Sequence, residues 1–158
     1  MPYQFFLLYL EAGEKSNSEF TLSQTLLMQS EYKLVQVVQG LCHFARVTVE
    51  ATEEQIINIR DEIAKPAERD HYYVDRQSYP DWVEAAVQGA RSIVEALVRQ
   101  RKIAGGRVSI VRVIGSNCDT VPEDVRCAVA LATWQALNPD EPLPSFALVG
   151  QEWHIAFD

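Results

Sequence analysis

The chain has 158 residues, of which 47% are hydrophobic and 23% charged, and its formal net charge is −8. This length and composition predict one globular domain over residues 1–158 and exclude a disordered chain. The excess of negative charge argues against a general DNA-binding protein, because neutralising phosphates requires clustered cations. The 3 cysteines have no CxxC spacing, which argues against a disulfide framework or a zinc site and indicates a reducing, cytoplasmic location.

The first half of the chain contains several strand patterns. Residues 1–10 are apolar, lack a basic region and are followed by Glu11, so they predict a strand rather than a signal peptide or a membrane span. Valines at loosely alternating positions predict two further strands, 32–38 and 43–50. Gln39-Gly40-Leu41-Cys42 would join those two strands as a hairpin.

A helix is predicted after the second of these strands. Thr52 and Gln55 have the spacing of a capping box, and Lys65-Pro66 would end the helix. One side of this helix would carry three isoleucines: Ile56, Ile59 and Ile63. Residues 71–75 then predict a short strand.

The pattern is clearest in the second half of the chain. An amphipathic helix over 80–101 leads through Gly105-Gly106 to an apolar strand over 108–114. The polar loop 115–119 precedes a second helix over 122–137. Each helix has one apolar face, so both are expected to pack side by side on one face of a sheet that contains the apolar strand. Two last strands are expected to form a closing hairpin: 146–149 and 153–157.

These segments together resemble domain IV of translation elongation factor G over residues 31–137. The residues that carry the resemblance are Tyr73-Val74-Asp75, Val83–Val98, Ala104-Gly105-Gly106, Val108–Val113, Gly115-Ser116 and Val125–Leu137. In that family a Phe-Val-Asp strand precedes a helix, a Leu-Ala-Gly-Tyr turn, a Val-rich strand, an Asp-Gly-Ser-Tyr-His loop and a second helix. Residues 32–39 and 43–50 resemble the family's first two strands.

The resemblance implies an α+β fold, a two-layer sandwich with helices on one face of a mixed sheet. This is the ribosomal protein S5 domain 2-like fold, in which the βαβ crossover is left-handed against the usual rule. Residues 1–30 and 138–158 would add strands or loops to it. No GxxxxGK[ST] motif is present in the sequence, so the resemblance does not extend to a P-loop GTPase.

Two loops depart from the family's pattern. The glycine- and arginine-rich loop between the family's first two strands is reduced here to residues 39–42. The histidine at the tip of the family's second loop aligns with Asn117 or Cys118. In the family both loops reach the ribosomal decoding centre, so the resemblance supports the scaffold better than the activity.

Candidate binding residues lie within 91–126, where 7 basic side chains stand against 4 acidic ones. Cations at the end of the first long helix suit its dipole, and they suit anion recognition equally well. The loop before the second helix faces a helix N terminus, which favours anions. The candidates are Arg99, Arg101, Lys102, Arg107, Ser116, Asn117, Cys118 and Asp119.

The sequence therefore predicts a non-catalytic binding module whose partner is a protein or ribosomal RNA, with a homo-oligomer also compatible. No catalytic residue, metal, cofactor or membrane partner is predicted. The alternative is an enzyme with a pocket at the 115–120 loop and Cys118 as its nucleophile. That interpretation needs a base, and the spacing brings no histidine next to Cys118, while Asp119 opposes a thiolate.

Overall fold

The computed structural model describes residues 26–64 and 74–157. Its elements, in chain order, are β1 (Met28–Val38), β2 (Leu41–Glu54), β3 (Ile57–Asp61), α1 (Pro80–Arg99), β4 (Gly105–Ile114), α2 (Pro122–Leu137), β5 (Ser145–Val149) and β6 (Glu152–Ala156). The first four strands form a sheet in the order β1-β2-β4-β3, and β5 and β6 form a separate hairpin. In the sheet β3 is parallel to β4 and the other neighbours are antiparallel. The predicted α+β class with a mixed sheet is confirmed.

The two helices lie side by side and cover the sheet. α1 packs against β3 and β4, and α2 packs against β1 and β2. They approach closely at Gly89, where an added Cβ would overlap the carbonyl oxygen of Arg126. This confirms the predicted packing on a sheet that contains β4. None of the helices in the described ranges is long and apolar enough to cross a membrane.

Alternation along the central strand explains why the core lies between the sheet and the helices. Successive side chains of a strand point to opposite faces, and one set on β2 is almost fully buried: Ala45, Val47, Val49 and Ala51. Burial of a Val or Leu side chain stabilises the fold by roughly 1.5–3 kcal/mol. The opposite face of the sheet carries charged side chains, including Glu31, which accepts hydrogen bonds from Arg46 and Arg112.

The helix predicted after Thr52 is wrong. β2 continues through Thr52 to Glu54, and the following residues form strand β3 beside β4. Ile57 and Ile59 pack against the core at a spacing of two, whereas Ile56 is 66% exposed. The helical interpretation required Ile56 on the buried side, whereas the structure exposes Ile56 and pairs the following residues with β4.

Two separate parts of the chain form backbone hydrogen bonds with β4 on the side where β3 lies. The Glu62 N–H donates to the Ile110 carbonyl at 3.0 Å, and the Val74 N–H donates to the Val113 carbonyl at 3.2 Å. Val74 therefore continues the line of β3. The strand predicted over 71–75 is represented here by this one contact, since residues 71–73 lie outside the described ranges.

Other predictions have mixed outcomes. The strands β1 and β2, both helices, β4 and the closing hairpin are confirmed, with the β1–β2 turn reduced to Gln39-Gly40. The strand predicted over 1–10 lies outside the described residues. The hand of the β3–α1–β4 crossover stays a prediction.

The sheet has two distinct ends. At one end lie the β1–β2 turn, the loop 115–120 and the first residues of both helices, and we call this the turn end. At the other lie the end of α1, the start of β4 and the end of α2, and we call this the base end. With about 3.3 Å per residue, the ten residues of β4 separate the two ends by roughly 30 Å.

Candidate binding surfaces

The loop 115–120 is held by its own polar groups and by β2. The Thr120 hydroxyl accepts a hydrogen bond from the Ser116 N–H at 2.8 Å and donates to the Phe44 carbonyl. The Phe44 N–H donates in turn to the Asp119 carbonyl at 2.8 Å. The Ser116 carbonyl accepts from the backbone N–H groups of Asp119 and Thr120. The loop thus extends the pairing of β2 beyond the end of β4.

The start of α1 supports the same loop from the other side. The Tyr79 hydroxyl donates to Asn117 Oδ1 at 2.6 Å, and the Tyr79 ring stacks on Trp82 with centroids 4.4 Å apart. Gly115 lies against the Trp82 ring so closely that an added Cβ would overlap it. Cys118 remains exposed at the tip of the loop. The loop is a preorganised surface that presents Asn117 and Cys118.

A buried hydrogen-bonded cluster joins the turn end to the closing hairpin. Asp124 in α2 is fully buried, and its Oδ1 accepts from His43 Nδ1 at 2.9 Å and from Trp153 Nε1 at 2.8 Å. Its Oδ2 accepts the Val121 N–H at 3.0 Å, which satisfies one free donor at the helix N terminus. Both carboxylate oxygens of Asp124 therefore have partners, as burial demands.

Sequence patterns did not reveal this cluster. His43, Asp124 and Trp153 are far apart in the chain, and no motif or spacing connects them. The one local signal is Asp124 at the third position of a helix that begins at Pro122, where an acidic side chain can accept the N–H of the capping residue. Nothing in the sequence pairs it with His43.

The β1–β2 turn and the loop 115–120 carry little charge, although the helix starts at the same end add Asp81 and Glu123. Residues 34–44 contain no Lys, Arg, Asp or Glu, and the loop 115–120 contains one charged residue, Asp119. Leu41 is 67% exposed and Val121 is 46% exposed. The turn between the strands is tight, with positive φ at Gln39 and Gly40. This surface lacks the cations that bind phosphate groups.

The base end carries the predicted cations, and two of the four are already neutralised. Lys102 Nζ lies 2.6 Å from Glu141 Oε2 and 5.1 Å from the centre of the Trp134 ring. Arg107 lies 3.4 Å from Glu54. Within residues 26–64 and 74–157, Arg99 and Arg101 are exposed and no ion pair involves them.

The predicted binding residues therefore do not form one site. Arg99, Arg101, Lys102 and Arg107 are at the base end, whereas the loop residues Ser116, Asn117, Cys118 and Asp119 are at the turn end. Sequence proximity suggested a single basic zone, but β4 runs the full length of the sheet between the two groups. The structure instead brings the loop 115–120 next to Phe44, near the start of β2.

The three cysteines occupy different environments. Cys42 and Cys118 are exposed, and Cys127 is fully buried in α2. Burial raises the pKa of the Cys127 thiol to about 12, with smaller opposing effects of Arg126, which lowers it, and Asp124, which raises it. Among the described residues, no group of His, Cys, Asp and Glu could hold a metal ion, and the histidine near the loop, His43, bonds to Asp124.

Comparison with known proteins supports the fold. No protein-family model matches the chain, and no curated protein sequence matches it. Chains of solved structures do match, among them the crystal structure of a protein from Thermus thermophilus, with a TM-score of 0.54 and 10% sequence identity. The match covers 72% of this chain and 16% of that protein, so the matched part corresponds to about a sixth of the Thermus protein. At this identity the similarity extends to the fold alone.

Proposed function

We propose that the chain is a non-catalytic protein-binding module, built on a ribosomal protein S5 domain 2-like scaffold similar to elongation factor G domain IV. It would act in the cytoplasm through the turn end. The observation that carries this proposal is the combination of a hydrogen-bonded loop with two exposed apolar side chains, Leu41 and Val121, at the same end of the sheet. A preorganised surface loses little conformational entropy on binding, and exposed apolar side chains gain from burial.

The charge of the turn end favours a protein over RNA. Nucleic-acid binding depends on Lys and Arg contacts with phosphates, and residues 34–44 and 115–122 contain neither. The cations that could attract RNA lie at the base end, where Lys102 and Arg107 already have carboxylate partners. Ribosomal RNA is therefore the weaker partner of the two that the sequence allows.

The catalytic alternative receives less support. The polar groups of the loop 115–120 are engaged with one another and with β2 and α1. A histidine base for Cys118 would have to come from elsewhere, because His43 is oriented toward Asp124. The exposed thiol is better explained as part of a contact surface.

The test compares two charge-introducing variants in capture from native lysate. Leu41→Glu places a charge at the turn end, and Val149→Glu places one on another exposed strand residue, 61% exposed, as a matched control. The proposal expects Leu41→Glu to reduce recovery of a dominant protein partner at least tenfold and Val149→Glu to leave it unchanged. Equal recovery with both variants would contradict a binding role for the turn end.

Ribosome co-sedimentation separates the RNA alternative. Among the described residues of the base end, Arg99 and Arg101 are the cations that form no ion pair. Any association with the ribosome should therefore be weak and should disappear as the salt concentration rises. Arg99→Ala/Arg101→Ala should abolish it without affecting the protein partner. Co-sedimentation that persists at high salt would instead make the ribosome the principal partner.

A further inference from the structure

Strand β1 forms an open edge of the sheet. It is the outermost strand in the order β1-β2-β4-β3, and among the described residues no strand pairs with its outer side. β1 is 11 residues long, contains no proline and pairs with β2 without a bulge. An edge of this kind presents a row of backbone N–H and C=O groups that can pair with another strand.

The hydrogen bonds of β2 establish which residues of β1 point outward. The Phe44 N–H bonds to Asp119 and the Phe44 carbonyl accepts from Thr120, so both groups point away from β1. Phe44 and its partner Val35 are therefore a non-hydrogen-bonded pair, and the N–H and C=O of Val35 face the open edge. By the alternation of an antiparallel ladder, the same holds for Gln29, Glu31, Lys33 and Val37.

The side chains of these outward-facing residues share the sheet face opposite the helices. Val35 is 54% exposed and Val37 is 72% exposed. Lys33 is exposed, and no ion pair within the described ranges involves it. Glu31 lies two residues away on the same face, with its carboxylate also contacted by Arg46 and Arg112. The edge therefore combines apolar side chains with one acidic and one basic side chain.

We propose that the occupant of this edge is β1 of a second copy of the chain, paired antiparallel about a two-fold axis. Only the outward-facing residues offer their N–H and C=O groups to the second copy. Each of them must therefore stand opposite another outward-facing residue. One register then places Glu31 opposite Lys33 of the second copy, and the symmetry repeats this pair. The same register places Val37 opposite Leu27, which is 48% exposed, and places Tyr32 on the axis.

The charges of Glu31 and Lys33 favour this register over the two adjacent registers. A shift of the pairing in one direction places Lys33 opposite Lys33 of the second copy, and a shift in the other places Glu31 opposite Glu31. Like charges directly opposite on a sheet are destabilising, whereas opposite charges and apolar pairs each stabilise it. Self-complementarity of this kind is what a two-fold interface requires. The dimer would join two four-stranded sheets edge to edge.

The test measures the oligomeric state of the full chain by sedimentation equilibrium over a concentration series. We expect a monomer–dimer equilibrium. Val35→Pro removes an N–H that faces the open edge and leaves the bonds between β1 and β2 intact, so it should weaken dimerisation at least tenfold. Lys33→Glu should weaken it about tenfold at low salt, because it places two carboxylates opposite each other. Ile56→Glu, at another exposed residue, is the matched control and should have no effect.

A zero-length carbodiimide cross-link tests the register. In a mixture of isotopically light and heavy chains, we expect an amide between Lys33 of one copy and Glu31 of the other, detected as a hybrid peptide by mass spectrometry. A chain that is monomeric at every concentration overturns the proposal and leaves the edge to another segment or partner. A dimer that is unaffected by both Val35→Pro and Lys33→Glu, in folded variants, overturns it as well.

Discussion

Both ends of the sheet contain charged contacts, but these contacts differ in their contribution to stability because they differ in burial. At the turn end the Asp124 carboxylate is fully buried and receives three hydrogen bonds. At the base end Lys102 and Glu141 form a shorter contact, yet their side chains remain 34% and 43% exposed. Water competes for the exposed pair and cannot compete for the buried carboxylate. The basic cluster at the base end is more conspicuous in the sequence, but it contributes less to the stability of the fold than the buried Asp124 cluster.

Asp124→Ala should produce the largest loss of stability. The substitution leaves the donors of His43, Trp153 and Val121 without their acceptor, and each buried unpaired donor costs about 1–3 kcal/mol. We expect a decrease of roughly 3–5 kcal/mol in the free energy of unfolding, measured by urea denaturation. Asp124→Asn keeps the Oδ1 acceptor and should lose less. A loss below about 1 kcal/mol for the alanine variant would show that water replaces the carboxylate.

Gly105→Ala should produce the next largest loss of stability. It tests whether the base end contains a rigid contact. A Cβ at Gly105 would lie 2.7–2.8 Å from backbone atoms of Ile56, where the chain passes from β2 to β3. Backbone there cannot move without disturbing both strands, so we expect a loss of about 2 kcal/mol in urea denaturation. Gly106→Ala is the matched control, since its Cβ would meet Val94 Cγ1 at an ordinary 3.5 Å. Equal losses at both positions would contradict this explanation.

Cys127 should make stability decrease in alkaline solution. Burial raises the pKa of this thiol from 9.0 to about 12 in the folded chain. Between these values the unfolded chain loses the thiol proton and the folded chain retains it, so the free energy of unfolding falls as pH rises. The limiting slope is about 1.4 kcal/mol per pH unit, and the loss reaches roughly 1.4 kcal/mol by about pH 10.

The measurement compares urea midpoints of the wild type and Cys127→Ala from about pH 8 to about pH 10. The difference between the two proteins isolates the thiol from other groups that titrate in this range. Burial also raises the pKa of Tyr32 and does so in both proteins, whereas the smaller effect of Cys127 on Tyr32 disappears with the thiol and belongs to the measured difference. Parallel curves would mean that Cys127 is accessible to water. Iodoacetamide should label Cys42 and Cys118 in the native protein and reach Cys127 only after unfolding.

Lys102→Ala should produce the smallest effect. Exposed ion pairs contribute about 0.2–1 kcal/mol, so the free energy of unfolding should fall by less than about 1 kcal/mol. A double-mutant cycle with Glu141→Ala separates the ion pair from the contact of Lys102 with the Trp134 ring. A coupling energy above about 2 kcal/mol would show that the base end holds a stronger pair than its exposure indicates.

The sequence predicts much of this fold because local signals agree with tertiary packing. The bounds predicted for α2 are correct, since Pro122 suits the first turn of a helix and Asn138-Pro139 ends it. β3 was missed because Thr52 and Gln55 imitate a capping box while the strand's alternation extends over few residues. Local pattern and sheet pairing conflict there, and pairing with β4 decides the outcome.

The candidate surface was less predictable than the fold. The loop 115–120 was identified from its place before a helix, but its link to Phe44 depends on the position of β2. The grouping of Arg99 with Asn117 failed because a strand carries neighbours in sequence to opposite ends of the molecule. The contacts of Asp124 join three distant parts of the chain, and no single-sequence pattern encodes such a meeting.

The discontinuous neighbour of β4 has a consequence for how the chain tolerates added sequence. The backbone bonds of Glu62 and Val74 anchor the two sides of the 65–73 segment to carbonyls that are three residues apart on β4, or about 10 Å. Closing a longer segment across such a gap costs little, because the closure entropy grows only with the logarithm of its length. A foreign peptide or a reporter tag inserted between 65 and 70, ahead of the strand predicted over 71–75, should therefore be accepted without loss of the sheet.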